Sequence, residues 1–408
     1  MKKRKKNQKK KSPPKADPPL AEKKKPKNHL KADSPQAKNN QKAMRANLTN
    51  IYRRVFKKHA EESYEDKEAH FLSMLLPIGV VLILCAIIIV AFYYYGPKSK
   101  EEITQGEEEA AIIYDYRKLD GLAVESEQAN SIPWAIMIEN HWESRPPSGL
   151  SGASIVFEVP VEYGITRFMA IYDSAVEIDE IGPVRSARDY YLDWASEFGA
   201  LYAHVGGSPK SLEEIPQANI HDLNQFFNGR YYWRSQDRSA PHNVYTNSEL
   251  LQKAMRDKWI NEAYDYGTWR FKEDRVLEKP GPTEIEVDYS TEEYYVRWEW
   301  TSGTNEYLRY NDGELHDDAD GTQIRAKNIA VVQTEAYILD REGRLNLRTL
   351  GKGKAWVFRD GEVVEATWSK PTAQSRLKFY DVTGRDIEFN RGSTWVQIIT
   401  NRWDLKWK

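Results

Sequence analysis

The chain has 408 residues, 40% of them apolar and 12% aromatic, enough to bury at least one sizeable core. Its total charge of −2 hides a sharp division, because residues 1–70 carry 22 Lys/Arg against 8 Asp/Glu, a net of +14, which leaves −16 for the remainder. A single cysteine, Cys85, excludes internal disulfides and any cysteine-based metal site.

Residues 1–45 repeat lysine, proline and asparagine and hold almost no large apolar side chains, so they cannot offset the entropy of ordering. A basic, disordered cytoplasmic tail is expected over residues 1–70. Within it, Leu48, Ile51, Tyr52, Val55 and Phe56 recur at helical spacing among basic residues, as in a helix lying at the inner membrane face. The favoured reading of this tail is a solvated segment that sets topology; the functional alternative is attraction to anionic lipid headgroups, ahead of nucleic acid. The 25 uncharged residues from Phe71 to Tyr95 exceed the roughly 20 needed to cross a bilayer as a helix. Basic residues before the run and acidic ones after it orient a single span with its N-terminus in the cytoplasm. Residues 96–130 then read as an acidic linker that holds an extracytoplasmic part away from the membrane.

From residue 131 to about 270 the pattern predicts a mixed α/β domain. Ile132–Ile138, Ser154–Val159 and Ile165–Tyr172 are strand-like runs, the last two joined by a hairpin at Val161–Gly164. A helix is expected after Pro183, burying Tyr191, Trp194, Ala195 and Phe198 and stopping near Gly199. Leu201–Val205 reads as a short buried strand, and Ser248–Trp259 as a second helix. Between residues 282 and 408, EIEVDY, YYVRWEW, YLRY, KNIAVVQ, KAWVFRD and TWVQIIT alternate with turns, and Asp312-Gly313 and Asp360-Gly361 mark hairpins, so a mostly antiparallel β-rich domain is expected. The fold class expected for the whole chain is thus α+β: one transmembrane helix, a mixed α/β domain and a β-rich domain.

Residues able to carry chemistry concentrate in the first of these domains. Between Ser131 and Leu250 stand seven arginines and a single lysine, Lys210, which points to fixed, bidentate pairing with carboxylate or phosphate. Sixteen Asp/Glu in the same window make internal pairing the competing explanation. Arg185, Ser186 and Arg188 follow Pro183, and His204 precedes the Gly206-Gly207-Ser208 turn, whose glycines would let the backbone approach a ligand. Trp233, Arg234, His242 and Asn243 crowd a polar-aromatic loop. Arg185, Arg188, His204, Arg234, His242 and Asn243 are therefore expected to converge on one anion-sized pocket, with Arg167 and Ser208 as further candidates.

Neither Ser186 nor Ser208 lies in a nucleophile elbow, and no phosphate-binding glycine loop follows a strand. His141, His204, His221 and His242 match no zinc spacing, so neither a metal nor a cofactor is expected from the sequence, and an ion could be held only by residues distant in the chain.

These motifs carry a family resemblance. The runs RPPSGLSGASIVFEVPVEYGITRFMAIYD, IGPVRSARDYYLDWASEFGALYAHVGGS and WRSQDRSAPHNVYTNSEL, followed by YNDGELHDDADGTQIRAKNIAVVQ and FNRGSTWVQIIT, resemble both parts of the YerB family of bacterial extracytoplasmic proteins, a domain of unknown function. The resemblance extends from about Ile132 to the end of the chain. It implies an envelope location, reached in the family through a lipid-modified cysteine. This chain departs from that pattern by its long basic tail and apolar run. The expected function is the binding of an anionic or carbohydrate cell-envelope component through the Arg/His/aromatic site. Two alternatives stand beside it: a scaffold for envelope proteins, and a metal-independent hydrolase or transferase acting on an envelope polymer.

Overall fold

The structure, a computed structural model, describes residues 83–88, 90, 94, 114–400 and 403–408. The expected tail, its inner-face helix and the greater part of the acidic linker lie outside the described residues. Those described within the apolar run are helical, but among the described residues no helix is long and apolar enough to cross a membrane. The single span expected over 71–95 is thus not shown by the structure, and most of that run lies outside the described residues.

The described residues from Tyr114 onward form one compact unit. Its strands are β1 (Trp134–Glu139), β2 (Ile155–Pro160), β3 (Thr166–Tyr172), β4 (Leu201–His204), β5 (His221–Asn224), β6 (Glu284–Asp288), β7 (Tyr295–Thr301), β8 (Glu306–Asn311), β9 (Asn328–Thr334), β10 (Gly351–Arg359), β11 (Glu362–Lys370), β12 (Lys378–Tyr380), β13 (Thr394–Thr400) and β14 (Asp404–Trp407), with shorter pieces between. Three helices, α1 (Asp189–Ala195), α2 (Pro209–Glu214) and α3 (Ser248–Asp257), complete the frame.

Ten strands make one mixed sheet in the order β12-β11-β10-β9-β13-β2-β3-β1-β4-β5. The expected fold class, a mixed α/β domain followed by a mostly antiparallel β-rich domain, is corrected here: the fold is mostly β-rich, and strands from both sides of residues 270–282 share this sheet. The joint is the parallel pair of β13 and β2, with Thr394 opposite Ile155 and Gln397 opposite Glu158. Local periodicity reports that a segment is a strand, whereas pairing across more than two hundred residues depends on the other segment too.

Both faces of the large sheet are covered, which is why β1 (WAIMIE) is buried at every position instead of alternating. Ile136 and Ile138 of β1, Phe168 of β3 and Trp395 of β13 face the second sheet, where they meet Ile285, Val296, Trp298 and Tyr307, and the same core takes in Leu251 and Ala254 of α3. Ala135 and Met137, with Phe157, Ile171 and Ile398, face Tyr191, Trp194 and Ala195 of α1. The second sheet is antiparallel, with β8, β7, β6 and β14 adjacent in that order.

The helix expected after Pro183 begins six residues later, at Asp189. Residues 181–187 instead run extended and place their backbone amides on remote segments: Val184 donates to the Val244 carbonyl at 2.6 Å, Arg185 to Met137 at 2.8 Å and Ala187 to Gly206 at 3.0 Å. With those donors committed to neighbouring strands, a first helical turn has nothing to gain there.

Candidate functional site

Strand β1 is apolar until its last residue, Glu139, whose carboxylate is 2% exposed. The register of the sheet sets Arg167 of β3 directly opposite. The extended segment after Pro183 brings Arg185, whose Nε donates to Glu139 Oε2, and Arg167 Nη2 lies 3.9 Å from Oε1. The polar loop after Trp233 brings His242, with Nδ1 3.4 Å from Glu139 Oε2. Burial alone would raise the Glu139 carboxyl, but His242, Arg167 and Arg185 outweigh it and hold it well below the usual carboxylate range.

Beyond Glu139 the chain leaves the sheet, and the backbone amides of Asn140 and His141 donate to Glu139 Oε1 at 3.2 and 3.4 Å. His141 stacks on His242 with ring centroids 5.0 Å apart, and its other neighbour is Trp142 at 5.5 Å. Glu143 Oε2 stands 3.8 Å from His242 Nε2 and 3.9 Å from His141 Nδ1. Arg238 donates to the Pro146 carbonyl at 2.7 Å and so clamps the polar loop against this segment. The resulting surface carries Trp142, 55% exposed, the half-buried Trp233 stacked on Tyr245, and the exposed Arg234, bonded to Asn243 Oδ1 at 2.8 Å.

The structure brings together only part of the set chosen from sequence. Arg185, Arg167, His242, Asn243, Arg234 and Trp233 share the region around Glu139 and the polar loop, and the Ser186 carbonyl accepts from Arg167 Nη1 at 2.9 Å. Arg188 turns the other way and grips both oxygens of Glu162 at 2.6 and 2.9 Å. His204 is fully buried, with Nδ1 2.7 Å from the Gly206 carbonyl and Nε2 2.8 Å from Asp222 Oδ1, so both nitrogens are engaged within the protein. Ser208 caps α2 by accepting from the Ser211 amide at 3.2 Å. Gly206, at φ +60°, and Gly207 are needed for packing: a Cβ on them would stand 2.6 Å from the Phe226 ring and 2.4 Å from Ser211 Oγ. These glycines lie against protein, where a ligand was expected.

Sequence reasoning passed over Glu139 and Glu143, and it noted His141 only as one of four histidines without a zinc spacing. The available signal was a lone carboxylate closing a wholly apolar strand, followed at once by Asn-His-Trp-Glu.

Comparison with known proteins agrees with the motifs. The family described as "Protein of unknown function (DUF3048) N-terminal domain" matches residues 119–263, and its C-terminal counterpart matches residues 285–396. The protein described as "Putative lipoprotein YerB" of Bacillus subtilis (strain 168) is 30% identical over 285 residues, spanning 69% of this chain and 85% of that protein. A crystal structure of YerB protein from Bacillus subtilis superposes with a TM-score of 0.65 at 28% identity, covering 72% of this chain and 99% of the other. With both parts of the family matched in order and a relative aligned across most of the folded region, the chain belongs to the YerB-like family.

Proposed function

We propose that the protein is an envelope-associated binding module that holds an anionic or carbohydrate component of the cell envelope on the surface formed by Trp142, Trp233, Arg234 and Asn243. The observation that carries this reading is the pairing of exposed aromatic faces with an exposed arginine on a loop clamped to the sheet. Flat apolar rings suit the faces of sugars, and a guanidinium suits carboxylate or phosphate. Arg185 and Arg188 take a different task from the one expected of them: Arg185 braces Glu139 within the site, and Arg188 pairs with Glu162 apart from it. The description of the Bacillus relative as a putative lipoprotein supports an envelope location.

Titration of the full-length chain with wall-derived anionic glycans tests the reading. Trp142→Ala and Arg234→Lys are each expected to weaken binding by about tenfold, the effect of losing roughly 1.4 kcal/mol of contact. Equal affinity in all three proteins would refute it. A scaffold role is the second reading, favoured by the exposed side chains of Phe226, Phe227 and Trp259, which are 65%, 85% and 85% exposed.

A further inference from the structure

We infer that His141, Glu143 and His242 form a site for one divalent transition-metal ion of the zinc class. One ligand atom from each residue can be chosen so that all lie within 4.8 Å of one another. Donors bound to one zinc ion at 2.0–2.2 Å stand roughly 3.5 Å apart, so a rotamer adjustment of the exposed Glu143 side chain would complete the set.

His141 Nδ1 accepts the Glu143 backbone amide at 3.3 Å, so its Nε2 is the nitrogen left to serve as a donor, and the neighbours of His242 are those a metal ligand requires. His242 turns Nε2 toward Glu143 and Nδ1 toward the buried Glu139 carboxylate at 3.4 Å, an arrangement in which a carboxylate orients a histidine whose other nitrogen holds the ion. His242 Nδ1 is buried and makes no hydrogen bond of good geometry among the described residues, so this contact has room to tighten. Glu139 is itself fixed by Arg185, Arg167 and the backbone amides of Asn140 and His141. His141 cannot drift, because its ring is stacked on His242. Two imidazoles and one carboxylate are the donor set of zinc sites that keep a fourth position open for water or a ligand group. Arg185 and Arg167 add positive charge nearby, and Glu139 and Glu143 offset it, so the ion enters a surrounding of no net charge. The three residues come from two segments a hundred positions apart, which is why no zinc spacing is visible in the sequence. The inference stands independently of glycan binding.

The test uses the full-length chain stripped with a chelator and titrated with Zn²⁺ by calorimetry and with Co²⁺ by visible absorption. One ion per chain is expected, with the intense visible bands of low-coordinate Co²⁺. Glu143→Gln and His242→Gln should each weaken binding at least about tenfold, and His221→Gln, at an exposed position away from the cluster, should leave it unchanged. Glu143 is 52% exposed, so its replacement removes a donor without disturbing the core, and metal-free melting curves of the variants verify the fold. Absence of saturable binding, or binding that survives both Glu143→Gln and His242→Gln, overturns the site.

Discussion

The guanidinium of Arg188 and the carboxylate of Glu162 form a partly buried pair with two hydrogen bonds, and the pair sets how one region responds to acid. Burial pushes the Glu162 carboxyl up, but the hydrogen bonds and charge of Arg188 more than reverse this and hold it below its ordinary value. A carboxyl lowered in the folded state contributes stability that is present above its unfolded pKa, about 4.3, and is lost as pH falls through the lower folded value. Arg188→Gln should therefore melt below the parent protein at about pH 7, and the gap should narrow steadily below about pH 4. A gap that stays constant down to about pH 2.5 would mean that the pair contributes no pH-dependent stability.

At the level of elements, what the sequence made legible and what it hid divide along a physical line. Segments whose identity rests on local rules stand where the pattern set them. The hairpin around Val161–Gly164 pairs Pro160 with Thr166, α3 starts at Ser248 behind an Asn247 cap, and Asp312-Gly313 and Asp360-Gly361 occupy left-handed backbone between paired strands. The six-residue delay of α1 was hidden, because the segment after Pro183 is claimed by amide acceptors on remote strands. Helix α2 was hidden for the opposite reason: Gly-Gly-Ser-Pro read as a turn, whereas Ser208 is an N-cap and Pro209 the first helical residue. Ser208→Ala should accordingly lower stability by about 1 kcal/mol, measurable as a shift of the denaturant midpoint at constant slope. The candidate site was half legible for the same reason. His242 and Arg234 were visible as a polar-aromatic loop, but Glu139 meets His242 only once the sheet has closed.

Across the whole molecule, ionic groups with no exposure fasten the two parts of the chain together. Glu158 of β2 accepts both Nη2 contacts of Arg309 in β8 at 2.9 Å, along with Trp395 Nε1 at 3.1 Å and Gln397 Nε2 at 3.2 Å, and both charged side chains are fully buried. Glu197, just after α1, is similarly held by Lys370 at 2.9 Å and Arg376 at 2.6 Å. Removing one member leaves its partner charged in a low-dielectric setting, so Arg309→Met should cost about 3–5 kcal/mol. Because the Glu158 network crosses the β2–β13 joint, calorimetry should show that loss in a single transition spanning residues 119–396, both family domains together. Two separated transitions in the parent protein would contradict this.

The position of β13 has a further consequence, for the order in which the molecule is made. This strand, Thr394–Thr400, is the last of the ten to leave the ribosome, yet it lies in the interior of the sheet between β9 and β2. Until it arrives, β2 offers an unpaired apolar edge that more than two hundred residues of later chain must not occupy wrongly. Folding is therefore a closing act rather than a progressive one.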